Sequence, residues 1–176
     1  TPRLAACAYI TGIPYPELDY AAGLPGRYDD PEYEVPEVVM LWGKEPLPSN
    51  PDGFFGHSVI DLMRRGTRII SVDPRVNWLS TRADYHLRLR PGTDTALALA
   101  MLDVIIKEEI YDKDFVDYWT YGFEALAERA AEMPVEKAAE ITGVPAEDII
   151  NAARMYATAK PAGILWGLAI DQKTNG

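Results

Sequence analysis

A single cysteine, two histidines and no long apolar run set the first limits on this chain. One thiol excludes an internal disulfide and any cysteine-rich zinc or iron–sulfur site built from this segment, and Cys7 reads as a buried structural thiol. His57 and His86 lie a full structural unit apart, with no Cys or His at ligand spacing, so no metal site is expected and neither is given a catalytic role. No stretch approaches the ~20 apolar residues of a membrane-spanning helix, and no signal peptide opens the chain. Basic residues are scarce as well: 17 Lys and Arg against 27 Asp and Glu leave a formal charge of −10. That balance argues against nucleic-acid or anionic-membrane partners, which need a basic field to neutralise phosphates. A small anionic ligand is still admitted, because backbone N–H groups at helix N-termini hold phosphate without net positive charge. The first residue is Thr1 rather than Met, which fits an excised segment, and compartment is not read from it.

What is present is an ordinary globular composition, 48% hydrophobic and 25% charged over 176 residues, enough for one domain. Residues 1–36 are rich in Pro, Gly, Tyr and acids without helical or strand period, and read as an irregular arm that packs on something outside itself. From residue 37 the pattern turns regular. Apolar runs at Val38–Trp42, Arg68–Val72 and Ala162–Trp166 suit buried parallel strands, and the alternation over His86–Arg90 suits a strand nearer the sheet edge. Between them, Asn50-Pro51 resembles a helix cap and start, with Phe55, Val59, Ile60 and Met63 on one helical face. A long helix, apolar on nearly every side, is expected from Asp94 to Glu108. Helices follow near Asp112–Tyr118, Phe123–Ala131, Val135–Ile141 and Pro145–Ala157. Alternation of this kind predicts an α/β, Rossmann-like three-layer domain: a mostly parallel sheet with helices on both faces.

In such folds ligands gather outside the carboxyl ends of the strands. Four segments end there: Trp42-Gly43-Lys44-Glu45, Val72-Asp73-Pro74-Arg75, Gly92-Thr93-Asp94, and Trp166-Gly167 onward. The first loop lacks the G-x-G-x-x-G spacing of a dinucleotide fingerprint, which weakens an ordinary NAD fold. Gly43 serves either as a plain turn residue or, with amides near Asn50, as a place for phosphate. Asp73 stands where a carboxylate could accept from a ribose diol, or could cap the following turn. Arg75 could meet a phosphate or pair with Asp73. Thr93 or Asp94 could cap the long helix, or Asp94 could take the two adjacent N–H donors on one edge of guanine. The carboxylates between Glu108 and Glu147 read as solvated helix faces.

Taken in order, these segments resemble the molybdopterin oxidoreductase family, the group that includes formate dehydrogenases, nitrate reductases, dimethyl-sulfoxide reductases and the tungsten enzyme acetylene hydratase. The resemblance runs from about Val38 to the end. It is carried by Gly66-Thr67-Arg68-Ile69-Ile70-Ser71-Val72-Asp73-Pro74-Arg75, then Ala83-Asp84, then Leu89-Arg90-Pro91-Gly92-Thr93-Asp94, with support from Gly143-Val144-Pro145 and Gly167, Gln172 and Asn175-Gly176. It implies a cofactor of paired molybdopterin guanine dinucleotides chelating one Mo or W. The loop Trp42–Glu45 would face a dinucleotide, Asp73 and Arg75 would lie near its ribose and phosphates, and Gly92, Thr93 and Asp94 would hold guanine. Trp166, Gly167 and Gln172 would line the pterin side. The family's iron–sulfur cysteines and its protein ligand to the metal have no motif here, so an iron–sulfur cluster is expected in the parent only and the segment alone is expected to be inactive. The partners implied are the remaining domains of the parent enzyme and an iron–sulfur electron-transfer subunit. One departure stands out: where many relatives read Gly-x-Asn-Pro, this chain reads Gly43-Lys44-Glu45-Pro46. An anionic Glu45 would repel phosphate, and Asn50 is the expected substitute. A stand-alone nucleotide-binding module and an NAD-dependent dehydrogenase domain are the competing readings.

Overall fold

The computed structural model describes residues 34–49 and 54–172, without the side chains of Phe54, Phe55 and His57. The expected arm up to Tyr33, Cys7, Asn50-Pro51 and Asn175-Gly176 lie outside the described residues.

Four strands form one parallel sheet: β1 (Val38–Trp42), β2 (Arg68–Val72), β3 (Tyr85–Leu87) and β4 (Ala162–Trp166), in the order β3-β2-β1-β4. β1 is central, and all five of its side chains are buried, which is why it reads as an unbroken apolar run. Its period of two sends Val38, Met40 and Trp42 to one face and Val39 and Leu41 to the other. β2 divides in the same way, Ile70 and Val72 against Ile69.

The first face carries the larger core. Leu97, Ala100, Met101 and Val104 of helix α3 (Asp94–Lys107) meet Val135 and Ala138 of α6 (Val135–Thr142) and Ile149, Ala152 and Ala153 of α7 (Ala146–Thr158). α3 packs on α5 (Phe123–Ala131), α6 and α7, which accounts for its apolar character on nearly every side. The second face is covered by α2 (Phe54–Arg64) through Val59 and Leu62, joined by Leu79. The expected three-layer parallel architecture is the one observed.

Three local differences from expectation have clear causes. β3 stops at Leu87 rather than running to Arg90, because the Leu89 amide turns back to the Leu87 carbonyl and the Arg90 amide leaves the sheet for Thr142 O at 2.8 Å. The Arg90 guanidinium then donates to the carbonyls of Glu140 (2.6 Å) and Ile141 (3.0 Å), a cation satisfying the open C-terminal end of α6. Two single-turn helices, α1 (Pro46–Ser49) and α8 (Leu168–Asp171), are too short to leave a periodic signal. The remaining helix α4 (Lys113–Trp119) starts where Asp112 accepts from the Phe115 amide at 2.9 Å, as an N-cap.

Leu97 is fully buried where α3 meets the sheet. Leu97→Ala is expected to lower unfolding stability by about 2–5 kcal/mol, measured by urea denaturation. A loss under about 1 kcal/mol would mean that α3 is not anchored in this core.

Candidate functional site

The carboxyl ends of β1 and β4 open on a cleft of about 430 Å³ lined by Trp42, Asp94, Thr95, Ala98, Leu99, Ile164, Trp166 and Ile170. Its walls are mostly apolar, with one carboxylate, that of Asp94, and the Thr95 hydroxyl among the lining side chains. Trp42 is 8% exposed, so its indole N–H needs a partner inside the protein. The partner is Asp94, whose Oδ1 accepts from Trp42 Nε1 at 2.9 Å. The capping reading, one of the two left open for Thr93 and Asp94, is not the geometry found: Thr93 makes no side-chain cap bond, and its hydroxyl donates to Arg90 O at 2.6 Å. Among the described residues Oδ2 of Asp94 has no hydrogen-bond partner. Gly92 holds φ +84° in the turn that delivers Asp94 to the helix start. Across the cleft, Trp166 is half exposed and its indole N–H donates to Asp171 Oδ1 at 3.0 Å.

Two loops lock together where the chain leaves β1 and β4. Gly43 has φ +58°, and its N–H donates to Val72 O at 2.8 Å, while Gly167 N–H donates to Trp42 O at 3.0 Å. A Cβ on Gly167 would sit 2.0 Å from Gly43 O, so only glycine permits the approach. Gly43 and Gly167 are therefore fixed by one another, and the Gly43 amide is already satisfied by backbone.

The β2 end forms a separate polar knot. Asp73 is 4% exposed and takes the turn-capping geometry: Oδ1 accepts from the Arg75 amide at 2.8 Å, the Arg75 guanidinium bridges both oxygens at 3.2 and 3.1 Å, and Asn77 reaches Oδ2 at 3.3 Å. That bond to Asp73 pushes the Arg75 guanidinium further up its already high range. The Asp73 carbonyl lies 2.9 Å from His86 Nε2, and Pro74 O accepts from Arg88 Nε at 3.1 Å. Beside the knot, Glu45 is 5% exposed, and among the described residues neither carboxylate oxygen has a hydrogen-bond partner. Burial, and secondarily the Asp73 carboxylate, hold the Glu45 carboxyl above the usual range, with Arg75 and then the Leu47 backbone N–H pulling the other way.

Of the sequence-predicted residues, the structure brings Trp42, Asp94 and Trp166 into one cleft, and Gly43 and Gly167 meet in the loops that follow the two tryptophans. Val72, Asp73, Pro74 and Arg75 gather with Glu45 at the neighbouring strand end. Lys44 sits half-buried between the two groups, Gly92 and Thr93 flank Asp94 on the outside, and Gln172 is exposed at the end of α8. Asn50 lies outside the described residues. Sequence reasoning missed Thr95, Ala98, Leu99, Ile164 and Ile170. Ala98 lies at i+4 from Asp94 and Leu99 at i+4 from Thr95, so the helical period was the available signal for these two pairs sharing a side of α3.

The family model for molybdopterin oxidoreductases matches residues 30–176. The chain belongs to the molybdopterin oxidoreductase family. It is similar to the acetylene hydratase of Syntrophotalea acetylenica, 49% identical over 113 residues that make up 64% of this chain and 16% of that protein. Formate dehydrogenase H of Escherichia coli is 41% identical over 145 residues, 82% of this chain and 20% of the relative. Among solved structures, acetylene hydratase from Pelobacter acetylenicus superposes with a TM-score of 0.75 at 35% identity, covering 97% of this chain and 22% of that one. The chain thus spans about a fifth of the length of these family relatives.

Because a Cβ at position 167 meets backbone rather than a flexible side chain, Gly167→Ala is expected to force the two loops apart. In thermal unfolding it should cost more than the roughly 0.5–1 kcal/mol of an ordinary glycine position, and the Trp42 and Trp166 fluorescence should change. An unaltered melting curve would show that the loops do not need this contact.

Proposed function

We propose that the cleft and its two loops hold one guanine dinucleotide arm of a molybdopterin cofactor, with guanine between the indoles and against Asp94. The observation that carries the reading is a single carboxylate, fixed by Trp42, in a mostly apolar cleft walled by two tryptophans. Guanine presents N1–H and its exocyclic amine side by side, and a carboxylate is the side chain that accepts from both. An aromatic base suits indole walls. Adenine has no such pair of donors on one edge and would gain only the stacking.

The residues present fit the group the family implies. Asp94, Trp42 and Trp166 would hold the base, and the loops at Gly43–Glu45 and Val72–Arg75 would lie toward ribose and phosphates, with Gly167 and Gln172 toward the pterin. When bound, the cofactor's Mo or W supplies the reaction chemistry of the longer protein. The part played by this chain is binding, orientation and exclusion of water from one arm. Residues 37–176 would be the nucleotide-fold domain and residues 1–36 an arm of the larger parent, in an oxidoreductase whose other domains carry any iron–sulfur cluster. An iron–sulfur subunit as electron partner belongs to the same proposal. The NAD reading loses its support at Asp73, whose oxygens are used on Arg75 and Asn77 rather than offered to a diol.

Calorimetric titration of the full chain with GDP, ADP and NAD at low salt tests this reading. GDP is expected to bind at least tenfold more tightly than ADP, and Asp94→Asn is expected to remove the preference. The amide can still accept from Trp42 through its oxygen, so the cleft persists while its second atom now donates toward guanine's donors. Equal or tighter binding of ADP would sink the assignment of Asp94.

A further inference from the structure

Glu45 is the one buried acid in this region whose carboxylate is left without hydrogen bonds among the described residues, and it stands where an anion would be least welcome. A carboxylate removed from water needs a counter-charge or several donors, and without them it is far more stable protonated. Around Glu45 the charges are Asp73 and Arg75 from the β2 end, and the Leu47 backbone N–H, short of a hydrogen bond to either oxygen, adds a smaller pull toward the ionised form. Arg75 is committed to Asp73 through two guanidinium bonds, which cancels most of what it could offer to Glu45. His86 reaches only the main-chain oxygen of Asp73, and the preceding residue Lys44 shares the loop. The net surroundings are apolar and slightly negative. Both effects favour the neutral acid.

We infer that Glu45 is a proton-linked element of the dinucleotide site: when protonated it removes the repulsion that a carboxylate in this loop would exert on phosphate, and at a pH where it is ionised in the free protein anion binding draws a proton onto it. The inference rests on the dinucleotide reading above. Its physical basis is linkage. A phosphate arriving at the β1 or β2 loop adds negative charge beside Glu45, favours the protonated form still more, and is in turn bound more tightly by it. No direct contact is needed, which suits oxygens that are out of reach of solvent. The departure from Gly-x-Asn-Pro is then less of a defect than the charge suggests, since a protonated Glu presents a neutral side chain as Asn does.

The direction of the pH effect follows. Because the folded-state carboxyl titrates above its unfolded value of 4.5, the stability it contributes is complete below that value and is lost as pH rises through the folded titration. Against Glu45→Gln, which cannot ionise, the wild type should therefore lose stability progressively over that window. Binding should follow the same course, weaker as Glu45 ionises.

The test is GDP titration of the full chain and of Glu45→Gln, checked for folding by circular dichroism, from about pH 5 to pH 8.5, so that the second phosphate titration of GDP near pH 6 is common to both and cancels in the difference. At each pH it is run in two buffers of different ionisation enthalpy, which counts the protons taken up. The expected result is net proton uptake by the wild type in excess of Glu45→Gln where Glu45 titrates, with a dissociation constant that rises relative to the variant by up to about tenfold per pH unit there. Glu45→Gln should show only the part that GDP itself contributes. GDP binding with no proton uptake, or an equal slope in Glu45→Gln, overturns the role of Glu45 and leaves the dinucleotide reading standing. Absence of GDP binding at every pH overturns both.

Discussion

The site depends on what happens to the indole of Trp42. β1 is the central strand, buried on both faces, and its last residue carries a polar N–H into an apolar layer. Leaving that donor unsatisfied would cost about 1–3 kcal/mol. Asp94 removes the cost, and in doing so its carboxylate is held at a defined place between the end of β1 and the start of α3. A helix that begins with a carboxylate gains from its own dipole as well. One hydrogen bond therefore serves packing, helix start and ligand geometry together.

The second constraint is the contact between two loops that follow adjacent strands. Parallel pairing places Trp42 opposite Trp166, so the chain must leave both strands at the same level. Gly43 and Gly167 allow the two exits to touch, backbone against backbone, and this sets the spacing of the indoles above them. On the other side of β1, the Val72–Arg75 exit is tied by its own turn, with Asp73 acting as the cap. Glycine and a capping carboxylate thus shape the two sides of the same sheet end by different means.

Much of this was legible in the sequence. β1, β2 and β4 follow from apolar runs of five residues, and helices α3 to α7 follow from periodicity with proline and glycine boundaries; the parallel three-layer arrangement follows from their alternation. The shortened β3 was not legible, because Arg90 looks like one more alternating residue until its guanidinium is seen on the end of α6. The capping role of Asp73 was one of two open readings, and only the bonds to Arg75 and Asn77 decide it. The partnership of Trp42 with Asp94 joins residues 52 positions apart, and no local pattern encodes it. The burial of Glu45 was equally invisible, since an acid in a loop ordinarily reads as solvated. The same blindness covers the cleft wall: Ile170 sits on a single helical turn, and Ala98 and Leu99 look like ordinary helix interior.

Membership of the molybdopterin oxidoreductase family gives the fold its context, and the cleft gives it a local chemistry that this chain can be asked about directly. The most direct measurement is the Trp42 indole N–H resonance in a proton–nitrogen correlation spectrum as GDP is added. The account predicts that this resonance and that of Trp166 shift together with GDP and that the Trp119 indole on α4 does not move. A GDP-dependent shift elsewhere, with the Trp42 resonance unchanged, would contradict a base-binding cleft at the ends of β1 and β4.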